Sequence, residues 1–121
     1  MSKKVLIADD EPNIVISLEF LMKREGHAVS VARDGPSALE AIRAGKPDLV
    51  LLDVMMPGLS GFEVCQAVRG DEALAGVKIL MLSAKGRDTD IAKGQALGAD
   101  AYMTKPFSTK ELAEKVRELL K

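Results

Sequence analysis

Five short apolar runs punctuate the chain: "KVLIA" at 4–8, "AVSVA" at 28–32, "DLVLL" at 48–52, "VKILML" at 77–82 and "AYM" at 101–103. Between them the apolar period changes. Ile14, Leu18, Leu21 and Met22 recur at the spacing of one helix face, as do Leu112, Val116, Leu119 and Leu120. No other feature constrains the fold as tightly as this alternation. Strand–helix–strand units joined by short connections make right-handed crossovers, so the expectation is an α/β domain: a mostly parallel five-stranded sheet with helices on both faces. The first, third and fourth runs are nearly continuous in apolar residues, which suits strands buried on both sides at the centre of the sheet.

Start and stop signals agree with the alternation. Pro12 and Pro36 suit first-turn positions, and Ser60 with Glu63, like Ser108 with Glu111, has capping-box spacing. Gly26, Gly45, Gly70 and Gly98 follow the helical segments, where left-handed C-caps are expected. Pro57 and Gly58 are expected to turn the chain toward the third helix.

With 121 residues, the chain is expected to be one domain over 1–121. The 17 Lys and Arg nearly balance the 18 Asp and Glu, so no basic field invites nucleic acid, and direct DNA binding is not expected. Cys65 stands alone and can form neither an internal disulfide nor a cysteine-based zinc site; packing on the third helix is its expected role. His27 has no evident catalytic partner. The opening "MSKKVLIADD" is too short in apolar residues for a signal-peptide core, and no membrane span is visible, so the expected location is the cytoplasm.

In open parallel sheets ligands bind beyond the carboxyl ends of the strands. Asp9 and Asp10 follow the first run, Asp53 the third, Ser83 the fourth and Lys105 the fifth. A carboxylate beside apolar strands loses hydration, and three acids at one edge resist joint ionisation unless a cation neutralises them. Oxygen donors without His or Cys favour Mg²⁺, with Mn²⁺ as a possible substitute. A lysine and a hydroxyl opposite such an ion suit a phosphoryl group, on or beside Asp53. Taken singly, each residue has a plainer reading as a turn former, cap or solvated cation; their placement after four different strands is what argues for a site.

The segments "VLIADDEP", "DLVLLDVMMPGLSGFE", "ILMLSA" and "GADAYMTKPF" together resemble the receiver (phosphoacceptor) domain of two-component response regulators, including the chemotaxis regulator, from about Lys3 to Leu120. The resemblance implies a flavodoxin-like, doubly wound (βα)5 three-layer sandwich with strand order 2-1-3-4-5. It implies that Asp53 is the phosphoacceptor, that Asp10 binds Mg²⁺ directly, Asp9 through water and Met55 through its backbone carbonyl. Ser83 would bond the phosphoryl oxygen, Ala84 leave room for it and Lys105 pair with it. Tyr102 matches the aromatic switch position, Met55 and Lys85 the rim positions that tune phosphoryl lifetime, and the Lys105–Pro106 peptide bond is expected to be cis.

The implied partners are a sensor histidine kinase or histidine phosphotransfer protein, docking near the first helix, and a downstream output protein or domain. That output would read the face of the fourth helix, fifth strand and fifth helix. The domain is expected to be a signalling phosphoacceptor rather than an enzyme, with Mg²⁺-dependent self-phosphorylation and autodephosphorylation. Lys93, Asp100, Glu111 and Lys115 are charges available for a phosphorylation-dependent dimer. Ala101 and Ile91, where many transcription-factor receivers carry an acid and a cation, make that match partial. A haloacid dehalogenase-type phosphatase would want a second acid where Met55 stands. A flavodoxin-like phosphate binder would not place "ADDEP" after its first strand.

Overall fold

A computed structural model of the chain describes residues 3–84 and 88–121. The strands are β1 (Lys4–Ala8), β2 (Ala28–Ala32), β3 (Leu49–Asp53), β4 (Lys78–Ser83) and β5 (Ala101–Thr104). Helices α1 (Pro12–Arg24), α2 (Gly35–Gly45), α3 (Gly61–Arg69), α4 (Asp88–Ala96) and α5 (Thr109–Leu119) alternate with them. All strand pairs are parallel, in the order β2-β1-β3-β4-β5. This is the flavodoxin-like order, and it places the three most apolar strands at the centre.

Because successive strand residues point to opposite faces, the continuous runs feed two cores at once. Val5, Ile7, Leu49, Leu51, Leu80 and Leu82 pack with Val15, Leu18 and Met22 of α1 and Leu112 and Val116 of α5. The alternate residues, Leu6, Val50, Leu52, Ile79 and Met81, pack with Ala38 and Ile42 of α2 and Val64, Cys65 and Val68 of α3. Each buried Leu, Ile or Val contributes about 1.5–3 kcal/mol of burial free energy. The central strands contribute on both faces, so they hold the sheet edge above them rigid. Cys65 is fully buried, in keeping with a packing role.

Caps follow the sequence with instructive exceptions. Ser60 and Glu63 form a full capping box on α3, and Ser108 accepts from the Glu111 N–H at the start of α5. Gly26 and Gly98 are left-handed, at φ 87° and 101°. Gly45 instead ends α2, and Lys46 takes the left-handed position at φ 44°; Gly70 stays right-handed, with its N–H bonded to Gln66 O. A C-terminal glycine thus marks where a helix stops more reliably than which residue turns.

Candidate functional site

The strand alternation continues past the C-terminal edge and sorts the candidate residues by face. Asp9, Asp53 and Lys105 follow the parity of Ile7, Leu51 and Met103, on the α1/α5 side. Ser83 and Tyr102 follow Met81, on the other side. Charge therefore gathers on one face, while the hydroxyl and the aromatic ring share the other.

The acids converge. Carboxylate oxygens of Asp9, Asp10 and Asp53 lie within 4.8 Å of one another, with Asp9 and Asp53 buried and Asp10 exposed. Lys105 Nζ donates to Asp9 Oδ2 at 2.9 Å and lies 3.4 Å from Asp53 Oδ1. Met55 N–H donates to Asp53 Oδ1 at 3.3 Å, and Glu11 N–H to Asp9 Oδ1 at 2.9 Å. Lys105 is positioned by its own N–H, which donates to Ser83 O at 2.7 Å; the Lys105–Pro106 peptide bond is cis, as expected.

Electrostatics follow from that crowding. Burial, and then the charge of Asp9, raise the Asp53 carboxyl from 3.8 to about 6, against the opposing pull of Lys105 and the Met55 N–H. For Lys105, burial lowers the ammonium's pKa, but its hydrogen bond to Asp9 and the charges of Asp53 and Asp9 outweigh that, leaving it above its usual value. Among the described residues the pocket holds more negative charge than Lys105 balances. Three oxygen donors, with His27 and Cys65 placed elsewhere, fit a hard divalent cation.

The remaining predicted residues fall around this centre. Ser83 is fully buried at the end of β4; Ala84 is exposed beside it, and Met55 stands 58% exposed at the rim. Lys85, also expected at the rim, lies outside the described residues. Tyr102 is half-buried on β5 with its ring against α4, where a Cβ on Gly94 would lie 3.3 Å from Tyr102 Cδ2. Of the charges considered for a dimer face, Asp100 is engaged within the chain by Arg69 and the Ile79 N–H, and Lys93 covers the Phe62 ring.

Sequence reasoning missed three contributors. The Glu11 carboxylate reaches Lys105 Nζ at 3.3 Å, although "DEP" reads as a simple helix start. Gly61 allows the loop after β3 to fold back on Asp53: a Cβ there would meet Asp53 O at 2.3 Å. Its place after the cap Ser60 gave no hint of that approach. Gly94 offers Tyr102 its seat, and nothing in the local sequence of α4 signals it.

The "Response regulator receiver domain" family profile matches residues 5–117. Over all 121 residues the chain is 46% identical to the alkaline phosphatase synthesis transcriptional regulatory protein PhoP of Bacillus subtilis, covering 50% of that protein. It is 43% identical to the DNA-binding response regulator MtrA of Mycolicibacterium smegmatis, covering 52%. The chain thus spans about half the length of the curated relatives it matches. The chemotaxis response regulator CheY4 of Vibrio cholerae superposes with a TM-score of 0.93 at 31% identity, covering 99% of this chain and 100% of that one. A BeF3-activated DrrB receiver domain superposes at 0.90 with 29% identity, covering 99% and 98%. With the family's pattern spanning nearly the whole chain, the protein belongs to the response regulator receiver domains, the phosphoacceptor signalling domains of two-component systems.

Proposed function

We propose that residues 1–121 act as one receiver domain that takes a phosphoryl group onto Asp53. The observation that carries this reading is the placement of the buried Asp53 carboxylate beside Asp9, Asp10 and Lys105, an acid cluster that, among the described residues, Lys105 alone leaves under-neutralised. A phosphohistidine on a sensor kinase or phosphotransfer protein, docked near α1, presents its phosphorus to an Asp53 oxygen. The new P–O bond forms as the P–N bond breaks, and the electron pair returns to the imidazole nitrogen, which takes up a proton. Lys105 neutralises charge on the moving phosphoryl oxygens.

Asp10, Asp53 and the Met55 carbonyl would hold Mg²⁺, or Mn²⁺ in its place, with Asp9 acting through water. The ion would offset the charge that accumulates on the phosphoryl oxygens. Ser83 bonds one of those oxygens, Ala84 leaves space for it, and Met55 shapes water access from the rim, a role that the family resemblance extends to Lys85, outside the described residues. In this reading the domain signals rather than turning over a substrate, although it self-phosphorylates from small donors and loses the group by hydrolysis.

The phosphoryl group biases an equilibrium between two arrangements of the α4-β5-α5 face. Tyr102 belongs to that face: Ile91, Tyr102, Met103, Pro106, Phe107 and Glu111 line a cleft there. Ser83 shares its side of the sheet, so movement of the hydroxyl toward phosphate frees space into which the ring can turn. A downstream protein or domain, or a second copy of the chain, reads the change. A cytoplasmic location, without direct contact of these residues to nucleic acid or membrane, goes with this role.

Intact mass after incubation with acetyl phosphate and Mg²⁺ tests the reading. One added phosphoryl group is expected, absent without metal and absent in Asp53→Asn. An unchanged mass for the unsubstituted chain refutes it.

A further inference from the structure

Glu11 occupies the N-cap position of α1, yet its side chain makes no capping hydrogen bond. Its carboxylate lies instead 3.3 Å from Lys105 Nζ. An ammonium has three donors, and here three carboxylates surround it: Asp9, Asp53 and Glu11. They differ sharply in exposure. The Asp9 and Asp53 side chains are 1% and 4% exposed, whereas that of Glu11 is 60% exposed. Glu11 therefore defines the solvent side of Lys105, and the two aspartates its buried side.

The backbone aims this contact. Glu11 N–H is tied to Asp9 Oδ1 at 2.9 Å, and Pro12 at the first helical position restricts the chain just beyond it. Glu11 is thus held at the mouth of the pocket by the same acid that anchors Lys105 from within.

We infer that Glu11 is a positioning residue for Lys105, providing a seat at the pocket mouth when a divalent cation on Asp10 and Asp53, with Asp9 through water, competes for the two aspartates that pair with the lysine. The inference rests on the proposed use of those acids for a cation. An entering ion repels the ammonium and competes for two of its three partners, Asp53 directly and Asp9 through water. With Glu11 present, the displaced lysine keeps one ionic contact, so cation entry is less unfavourable. Its Nζ also stays at the rim, on the side from which a phosphoryl donor approaches. A carboxylate that acted only through its charge would attract the cation whether or not Lys105 were there, and this separates the two roles.

Binding of Mn²⁺ to the whole chain, followed by the electron paramagnetic resonance signal of the free ion, tests the assignment in four proteins: unsubstituted, Glu11→Gln, Lys105→Met and the double variant. Glu11→Gln is expected to weaken binding about fivefold with Lys105 present and less than about 1.5-fold in Lys105→Met. Glu11→Asp keeps the charge but shortens the reach by one methylene, and it is expected to behave like Glu11→Gln; this arm decides alone if Lys105→Met fails to fold. Equal losses in both backgrounds, no loss in Glu11→Gln, unsubstituted affinity in Glu11→Asp, or no Mn²⁺ binding by the unsubstituted chain each overturn the inference. No phosphoryl donor is present in this assay. Failure of the Glu11 role therefore leaves phosphorylation of Asp53 to the mass measurement, and an unphosphorylated chain with the expected Mn²⁺ pattern would sink the proposed function alone.

Discussion

Aspartates stand at both edges of the sheet, and the two edges use them in opposite ways. At the N-terminal edge, Asp48 Oδ2 accepts the Lys4 N–H at 2.8 Å, and Asp100 Oδ2 accepts the Ile79 N–H at 2.8 Å and Arg69 Nη2 at 2.7 Å. Each acid there ties down the start of a central strand. At the C-terminal edge, Asp9 and Asp53 are buried beside Asp10, and Lys105 is the cation between them. Matched donors make a carboxylate a structural clip; a surplus of carboxylates stores unfavourable charge that a ligand can relieve. Residue type is the same in both places, so what separates structure from function here is the balance of donors.

That contrast breaks most visibly at Asp53. Its neutral form is favoured by folding, because the folded pKa of about 6 lies above the ordinary 3.8. The stabilisation this provides is fully present below about pH 3.8 and is lost as pH rises through 6. Asp53→Asn should therefore abolish phosphoryl uptake, yet stabilise the metal-free protein at pH 7 by about 2–3 kcal/mol. The gain should shrink to nothing toward pH 4. Urea unfolding across that range checks it, and destabilisation at pH 7 would mean that Lys105 and the Met55 N–H already compensate the buried charge.

The opposite sign is expected at the other edge. Asp100→Ala leaves the Ile79 N–H without its acceptor and Arg69, whose Nη1 is already buried without a hydrogen-bond partner among the described residues, without its counter-ion. The Arg69 and Asp100 side chains are only 22% and 28% exposed, so the loss should be about 2 kcal/mol in urea unfolding. Uptake of one phosphoryl group should be retained. If Asp100→Ala proved neutral, the clip at the N-terminal edge would be ornamental and the comparison would fail on that side.

Mg²⁺ should reverse the sign at the C-terminal edge. A cation that binds the ionised cluster stabilises the folded state by mass action, about 1.4 kcal/mol at ten times its dissociation constant. The gain should be full well above pH 6, fall as Asp53 takes up its proton through pH 6, and disappear in Asp53→Asn or Asp10→Asn. Thermal unfolding with and without Mg²⁺ measures it, and an equal effect of Mg²⁺ on Asp10→Asn would show that the ion acts elsewhere.

The sheet was legible from sequence because its signal is repeated: five apolar runs, each followed by helical periodicity, leave little choice of architecture. The placement of the candidate residues was legible for a related reason, since Asp9, Asp53, Ser83 and Lys105 stand at or just beyond the ends of strands that the same runs define. Glu11 escaped notice because its contact partner is 94 positions away and depends on a side chain reaching across the pocket mouth. Gly61 and Gly94 escaped because a close approach leaves no local pattern; only the packed chain shows that a Cβ would meet Asp53 O or lie tight against Met81 Sδ and Tyr102. Lys46 took a left-handed turn one residue beyond the glycine expected to provide it, since hydrogen bonding at the helix end, not composition, sets that boundary.

The smallest expected effect is the sharpest control on the comparison. Asp48 serves β1 through one oxygen accepting the Lys4 N–H, while its own N–H donates to Lys4 O and its carbonyl accepts the Lys78 N–H. None of these bonds requires a carboxylate, because an amide oxygen accepts a backbone N–H equally well in geometry. Asp48→Asn should then change stability by less than about 0.5 kcal/mol, the range of substitutions that disturb no such feature. Asp48→Ala, which removes the acceptor, should cost about 1 kcal/mol. The same Asp→Asn exchange is thus expected to be nearly silent at one end of the sheet and, at the other, both to stabilise the metal-free protein and to abolish phosphoryl uptake. If Asp48→Asn were as costly as Asp48→Ala in urea unfolding, charge rather than hydrogen bonding would hold the N-terminal edge, and the two edges would differ only in degree.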